Sequence, residues 1–94
     1  MLAGKKVVVV GGSSGIGLAT AELAKLAGIT ADMSVLDVGS GVGGPARFLA
    51  ATYGCRVTGV DLSEPFVDAA RYLTERTGLS GEVSFQTASA GASI

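Results

Sequence analysis

The chain has 94 residues, 7 basic and 8 acidic side chains and no histidine; a net charge of −1 and scattered lysines and arginines exclude an electrostatic nucleic-acid surface. A length of this order accommodates one domain and leaves no room for a separate substrate domain. Hydrophobic residues make up 48% and charged residues only 16%, with 15 glycines, which is the balance of a largely buried parallel sheet.

Four short runs rich in apolar and β-branched residues read as strands: 5–10 "KKVVVV", 33–38 "MSVLDV", 55–60 "CRVTGV" and 82–87 "EVSFQT". Between the first two, Ile16, Ala19, Leu23 and Leu26 form one stripe of a helix predicted over 15–27, which Gly28 ends. A second helix is predicted over 44–53, with Pro45 in its first turn and Gly54 at its end. A third, over 64–77, has Ser63 as N-cap and Pro65 in its first turn, and is expected to bury Phe66, Ala69, Ala70 and Leu73. Arg71 and Glu75 are spaced to pair on its wet side, where Asp68 and Arg76 complete a solvated face. The order is βαβαβαβ, an α/β class with four parallel strands, three helices and right-handed crossovers.

Two strand orders fit this pattern. In one, the first strand adds beside the second, all crossovers run the same way, and a bare sheet face invites a homodimer. In the other, the last strand crosses to the far side of the first, giving 3-2-1-4 and helices on both faces.

Two of the strands end in glycine-rich turns that lead directly into helices. Such a turn gathers free N–H groups and the positive helix end at one point, where anionic or polar cofactor groups bind. The first, Gly11-Gly12-Ser13-Ser14-Gly15-Ile16-Gly17, resembles the GxxxGxG turn of short-chain dehydrogenases/reductases over residues 4–28. That resemblance implies that Gly11, Ser13, Ser14, Gly15, Ile16 and Gly17 lie under the pyrophosphate of NAD or NADP. The family's Tyr-x-x-x-Lys pair is missing, because Val57 and Arg76 stand four residues after Tyr53 and Tyr72. The tail "SAGASI" at 89–94 faintly resembles the Asn-Ala-Gly segment of the same family, with Ser89 in place of Asn.

The second turn, Leu36-Asp37-Val38-Gly39-Ser40-Gly41-Val42-Gly43-Gly44, resembles motif I of class I S-adenosylmethionine-dependent methyltransferases. Asp61 follows Gly39 by 22 residues, about the spacing at which an acidic side chain meets a ribose in such units. The stretch 29–90 looks like a small-molecule methyltransferase of the sarcosine or sterol type. The resemblance implies that Gly39, Ser40, Gly41 and Gly43 admit the methionine part and ribose of S-adenosylmethionine or S-adenosylhomocysteine. By the same likeness Asp61 accepts from the ribose hydroxyls, Leu62 packs on the adenine and Asp37 orients the amino-acid end. Ser89 stands near where the family often places an acidic residue for the adenine amino group.

Both resemblances imply a single Rossmann-like domain over 1–94, with a dehydrogenase-like unit at 1–28 and a methyltransferase-like unit at 29–94. The expectation drawn from them is an engineered or recombined chimera with at most residual S-adenosylmethionine or S-adenosylhomocysteine binding and no turnover. A ligand-free folding module and an NAD(P)-binding oxidoreductase fragment are the alternatives. Ser13 and Ser14 have no base to activate them as nucleophiles. Cys55 has no second thiol for a disulfide and no histidine to share a metal, and reads as a small buried hydrophobe. A reducing, cytosolic setting follows, with no span of roughly 20 apolar residues for a membrane and no full-length signal-peptide core.

Overall fold

The structure is a computed structural model that describes residues 7–11, 25–26 and 28–88. Strands β1 (Val7–Gly11), β2 (Ser34–Val38), β3 (Arg56–Asp61) and β4 (Val83–Thr87) form one sheet in the order β1-β2-β3-β4. Every pairing is parallel, with Gly11 opposite Val38, Val38 opposite Val60, and Asp61 opposite Thr87. The carboxyl ends of all four strands therefore lie along one rim.

The strand order is the first of the two expected, with each strand beside its predecessor. Helix α1 (Gly44–Tyr53) joins β2 to β3 and helix α2 (Glu64–Arg76) joins β3 to β4. The predicted helix over 15–27 falls outside the described residues except at Lys25 and Leu26. Those two are helical, and Leu26 is 84% exposed instead of joining a buried stripe. The core is met instead by Ile29 and Met33, which flank the turn leading into β2. Among the described residues there are thus two complete helices, not three. The unit from β2 to β4, three parallel strands and two helices, is the part that shapes the site.

Alternation along the strands sends one set of side chains toward the helices. Val35, Val57, Val83 and Phe85 pack there against Ala46, Leu49 and Ala50 of α1 and against Val67 and Ala70 of α2. On the opposite face Leu36 and Thr58 are half-buried and Ser84 and Gln86 exposed. The fully buried Ala46 and Ala70 lack bulk, so the helices can approach the sheet closely.

The buried stripe of α2 differs from expectation. Phe66 is 51% and Leu73 38% exposed, while Val67, Ala70 and Thr74 face the core. Spacing of three and four residues is kept, but the helix is turned so that smaller side chains meet the sheet. Ser63 caps the helix as expected, accepting from the Phe66 N–H at 3.3 Å. Arg71 makes its ion pair with Asp68 at 3.8 Å rather than with Glu75. Its Nε and Nη2 also donate to the Phe85 carbonyl at 3.3 and 2.8 Å, which satisfies an acceptor on the last strand of the sheet.

Phe85 also explains a glycine in β3. A Cβ on Gly59 would lie 2.6 Å from Phe85 Cε1 and 2.8 Å from the Ser40 Cβ, so hydrogen at that position lets the ring and the loop after β2 settle on the strand. Gly59→Ala is expected to destabilise the fold by about 1–3 kcal/mol through overpacking. Shortening the wedge in the double variant Gly59→Ala/Phe85→Leu should return part of that loss, read as the difference in urea midpoint between single and double variants.

Candidate cofactor site

The loop from Gly39 to Gly43 leaves β2 and enters α1 through three residues with positive φ: Gly39 at 73°, Gly41 at 58° and Gly43 at 86°. Side chains are disfavoured in this left-handed region, so the alternating glycines are a backbone requirement. At Gly43 a Cβ would also lie 2.8 Å from Phe85 Cε1 and from Arg47 Nη1.

The loop is tied to β3. The N–H groups of Gly39 and Ser40 both donate to the Val60 carbonyl, at 2.8 and 3.0 Å, and Gly43 N–H closes the turn on the Ser40 carbonyl at 3.0 Å. Asp61 then accepts from Gly41 N–H through Oδ2 at 2.9 Å and from Ser63 N–H through Oδ1 at 2.9 Å. Its carboxylate holds the loop after β2 and the loop after β3 together. Each oxygen keeps a lone pair for a further donor.

This wiring corrects one inference from the glycine pattern. The amides of Gly39, Ser40 and Gly41 are already donating to protein oxygens, so they do not form an open anion cradle. Beside them the rim offers the Asp61 carboxylate as an acceptor.

Asp37 lies fully buried on the helix-covered side of β2, and neither carboxylate oxygen has a hydrogen-bond partner among the described residues. The Ser40 hydroxyl is buried and unpartnered in the same way. Burial, and secondly the Asp61 carboxylate, push the Asp37 pKa up to about 6. Buried acceptors of this kind cost stability unless a donor reaches them. Three such atoms around one glycine loop are acceptors that a hydroxyl or ammonium donor would satisfy. A pyrophosphate would face two carboxylates there and gain none of the three amides.

Leu62, 74% exposed, directly follows Asp61 at the end of β3. The structure thus brings Asp37, Gly39, Ser40, Gly41, Gly43, Asp61 and Leu62 to one rim. Of the first glycine turn, Gly11 is described, paired with Val38 across from the second loop. Ser13, Ser14, Gly15, Ile16 and Gly17 lie outside the described residues, as does the tail at 89–94 with Ser89. Cys55 is buried as expected and its thiol pKa is raised by that burial. Among the described residues no group of three potential metal ligands occurs, and no helix is long and apolar enough to cross a membrane.

Sequence reasoning missed Gly59, Phe85 and Arg47, which shape the loop from below and behind. For Arg47 a signal was present: it follows Gly43 by four residues, at the start of a helix whose side chains lean back toward the loop.

The Methyltransferase domain family matches residues 35–93. A sterol 24-C-methyltransferase of Neurospora crassa is 46% identical over 63 residues, 67% of this chain and 17% of that protein. A glycine/sarcosine/dimethylglycine N-methyltransferase of Actinopolyspora halophila is 47% identical over 51 residues, 54% of this chain and 9% of its own length. Among solved structures, an RNA methyltransferase from Salinibacter ruber in complex with S-adenosyl-L-homocysteine overlays with a TM-score of 0.74 at 25% identity, covering 78% of this chain and 48% of that one. The chain therefore spans about a sixth of the sterol relative it resembles.

These findings overturn the expectation of an engineered chimera without turnover. The matched segment runs through the loops after β2 and β3 without interruption, and the structural overlay covers more of the chain than residues 35–93. The dehydrogenase-like reading of residues 4–28, the NAD(P) alternative and the ligand-free module gain no support from them. What the residues built around Gly39 and Asp61, and the comparisons, establish together is that the chain belongs to the family of class I S-adenosylmethionine-dependent methyltransferase domains.

Proposed function

We propose that the chain is the cofactor-holding part of a methyltransferase, taking S-adenosylmethionine and releasing S-adenosylhomocysteine at the carboxyl ends of β2 and β3. The observation that carries this reading is the set of buried acceptors on Asp37 and Ser40, unpartnered among the described residues, beside the Gly41–Asp61 hydrogen bond. A nucleoside with a free cis-diol and an amino-acid end supplies the donors that those acceptors lack.

When bound, the cofactor supplies a methyl group made electrophilic by its sulfonium. The residues of this chain bind and orient. Asp61 accepts from the ribose hydroxyls while keeping its two backbone donors, so the ribose enters a site whose carboxylate is already aimed. Gly39 and Gly41 keep the loop thin enough for close approach. Leu62 offers an apolar surface for the adenine. Asp37 and Ser40 face the amino-acid end, and the Asp37 charge favours an ammonium over a neutral group. The sterol and glycine relatives bear names that differ in the accepting atom, carbon in one and nitrogen in the other. We assign this chain a small-molecule acceptor as those two have, with the described residues serving the cofactor half of the reaction.

Calorimetric titration with S-adenosylhomocysteine should give saturable heat, and titration with NADH should give none. Asp61→Ala is expected to weaken S-adenosylhomocysteine binding about tenfold or more, the loss typical of a hydrogen bond to a charged group. Heat from NADH alone would overturn the reading.

The raised Asp37 pKa gives opposite pH trends for stability and binding. The unfolded chain releases this proton in the ordinary carboxylate range and the folded chain keeps it to about 6. Its contribution to stability is therefore complete at low pH and is lost as pH rises through about 6. Asp37→Asn should raise the Tm at pH 7.5 by about 5 °C, the shift that roughly 1 kcal/mol produces in a domain of this size, and the gain should vanish below about pH 4. Ligand affinity should rise over the same window as Asp37 ionises, and the Asn variant should lose that rise.

A further inference from the structure

Three of the five residues from 39 to 43 are left-handed glycines, and such residues rotate between backbone wells with little steric resistance. Hydrogen bonds to Val60 and Asp61 secure the first half of the loop, at Gly39, Ser40 and Gly41. Val42 lies between two of the glycines, exposed, and the peptide unit joining it to Gly43, already closed on the Ser40 carbonyl through its N–H, has a carbonyl open to a second restraint.

Arg47 supplies one. Its Nη1 donates to the Val42 carbonyl at 2.7 Å. The same nitrogen reaches Thr74 Oγ1 at 3.3 Å and the Ala70 carbonyl at 3.4 Å, both on α2. Thr74 is buried and Ala70 fully so, which makes that end of the link rigid. A Cβ on Gly43 would stand 2.8 Å from Nη1, so the missing side chain leaves room for the guanidinium. Its acceptors are two carbonyls and a hydroxyl, so its function is to hold backbone rather than to pair with a carboxylate. Partial burial lowers its pKa, but an arginine stays protonated throughout the working range.

We propose that Arg47 is a positioning residue for the cofactor loop: by clamping the Val42 carbonyl to Thr74 and Ala70 of α2, it holds Gly41 in the conformation that donates to Asp61. The assignment rests on the cofactor site placed above at Gly39, Gly41 and Asp61. It makes α2 part of the binding machinery although the helix itself does not line the loop.

The test uses two independent readings on the whole chain: amide hydrogen exchange at Gly41 without ligand, and S-adenosylhomocysteine affinity. Arg47→Met should lower Gly41 protection and weaken binding, each by about tenfold, as expected for loss of a charged hydrogen bond. Arg47→Lys retains a cation that can reach one carbonyl and should recover part of both. Thr74→Val, which keeps the buried volume, should give an intermediate loss and serves as the deciding variant if Arg47→Met does not fold. Arg56→Met is the control, because Arg56 Nη1 likewise donates to a carbonyl, that of Gly81 at 3.3 Å, but at the opposite end of β3. It should leave both readings within twofold of the parent.

Protection and affinity unchanged in Arg47→Met, whatever its melting temperature, would overturn the proposal. Equal losses in Arg56→Met would overturn it as well, by showing a general loosening. Should the parent chain fail to bind S-adenosylhomocysteine, the cofactor reading falls, and Gly41 exchange in the Arg47 variants alone decides whether the arginine positions the loop.

Discussion

One carboxylate joins the two loops on which the site depends. Asp61 accepts from Gly41 on one side and from Ser63 on the other, so the exit from β2 and the exit from β3 meet at a single side chain. The neighbouring Val60 carbonyl adds two more bonds from Gly39 and Ser40. Because the donors are backbone amides, the loop's shape follows from parallel pairing of β2 and β3, which sets Val38 opposite Val60. A strand slipped by one residue would carry Asp61 to the other face and dissolve the arrangement.

That restraint has a chemical consequence. A glycine-rich turn ahead of a helix is commonly an anion cradle, but here its first three amides are spent within the protein and a carboxylate stands beside them. The Asp37 carboxylate and the Ser40 hydroxyl stay buried without partners among the described residues, a cost that proteins tolerate chiefly at functional sites. On the proposed function, such a site suits a ribose diol and an ammonium better than a pyrophosphate. The same loop pattern in another wiring would favour the reverse.

Packing beneath the loop is equally specific. Phe85 rests where Gly59 and Gly43 lack side chains, and Arg71 fixes the carbonyl of the same phenylalanine. Arg47 restrains the far side of the loop from α2. Phe85 and Arg47 thus support the binding rim from behind, and α2 with β4 takes part in shaping it from outside the glycine motif.

Much of this was legible in the chain itself. Each predicted strand lies within two residues of the observed one at either end, because β-branched runs bounded by glycine and polar residues have few other outlets. Caps at Ser63 and Gly54 are local chemistry, and the Gly39–Asp61 spacing is a property of one βαβ unit. Tertiary structure decided what depends on partners far away in sequence: which face of α2 meets the sheet, so that Val67, Ala70 and Thr74 replace Phe66 and Leu73, and that Arg71 turns to Asp68 and the Phe85 carbonyl. It also decided that Asp37 is buried without a partner among the described residues and that Arg47 reaches Thr74 across 27 residues. A repeat of 2 or 3.6 residues sets the spacing along an element but not its rotation about its own axis or its neighbour in the sheet. Those are selected by steric fit and hydrogen-bond satisfaction among residues that only folding brings together.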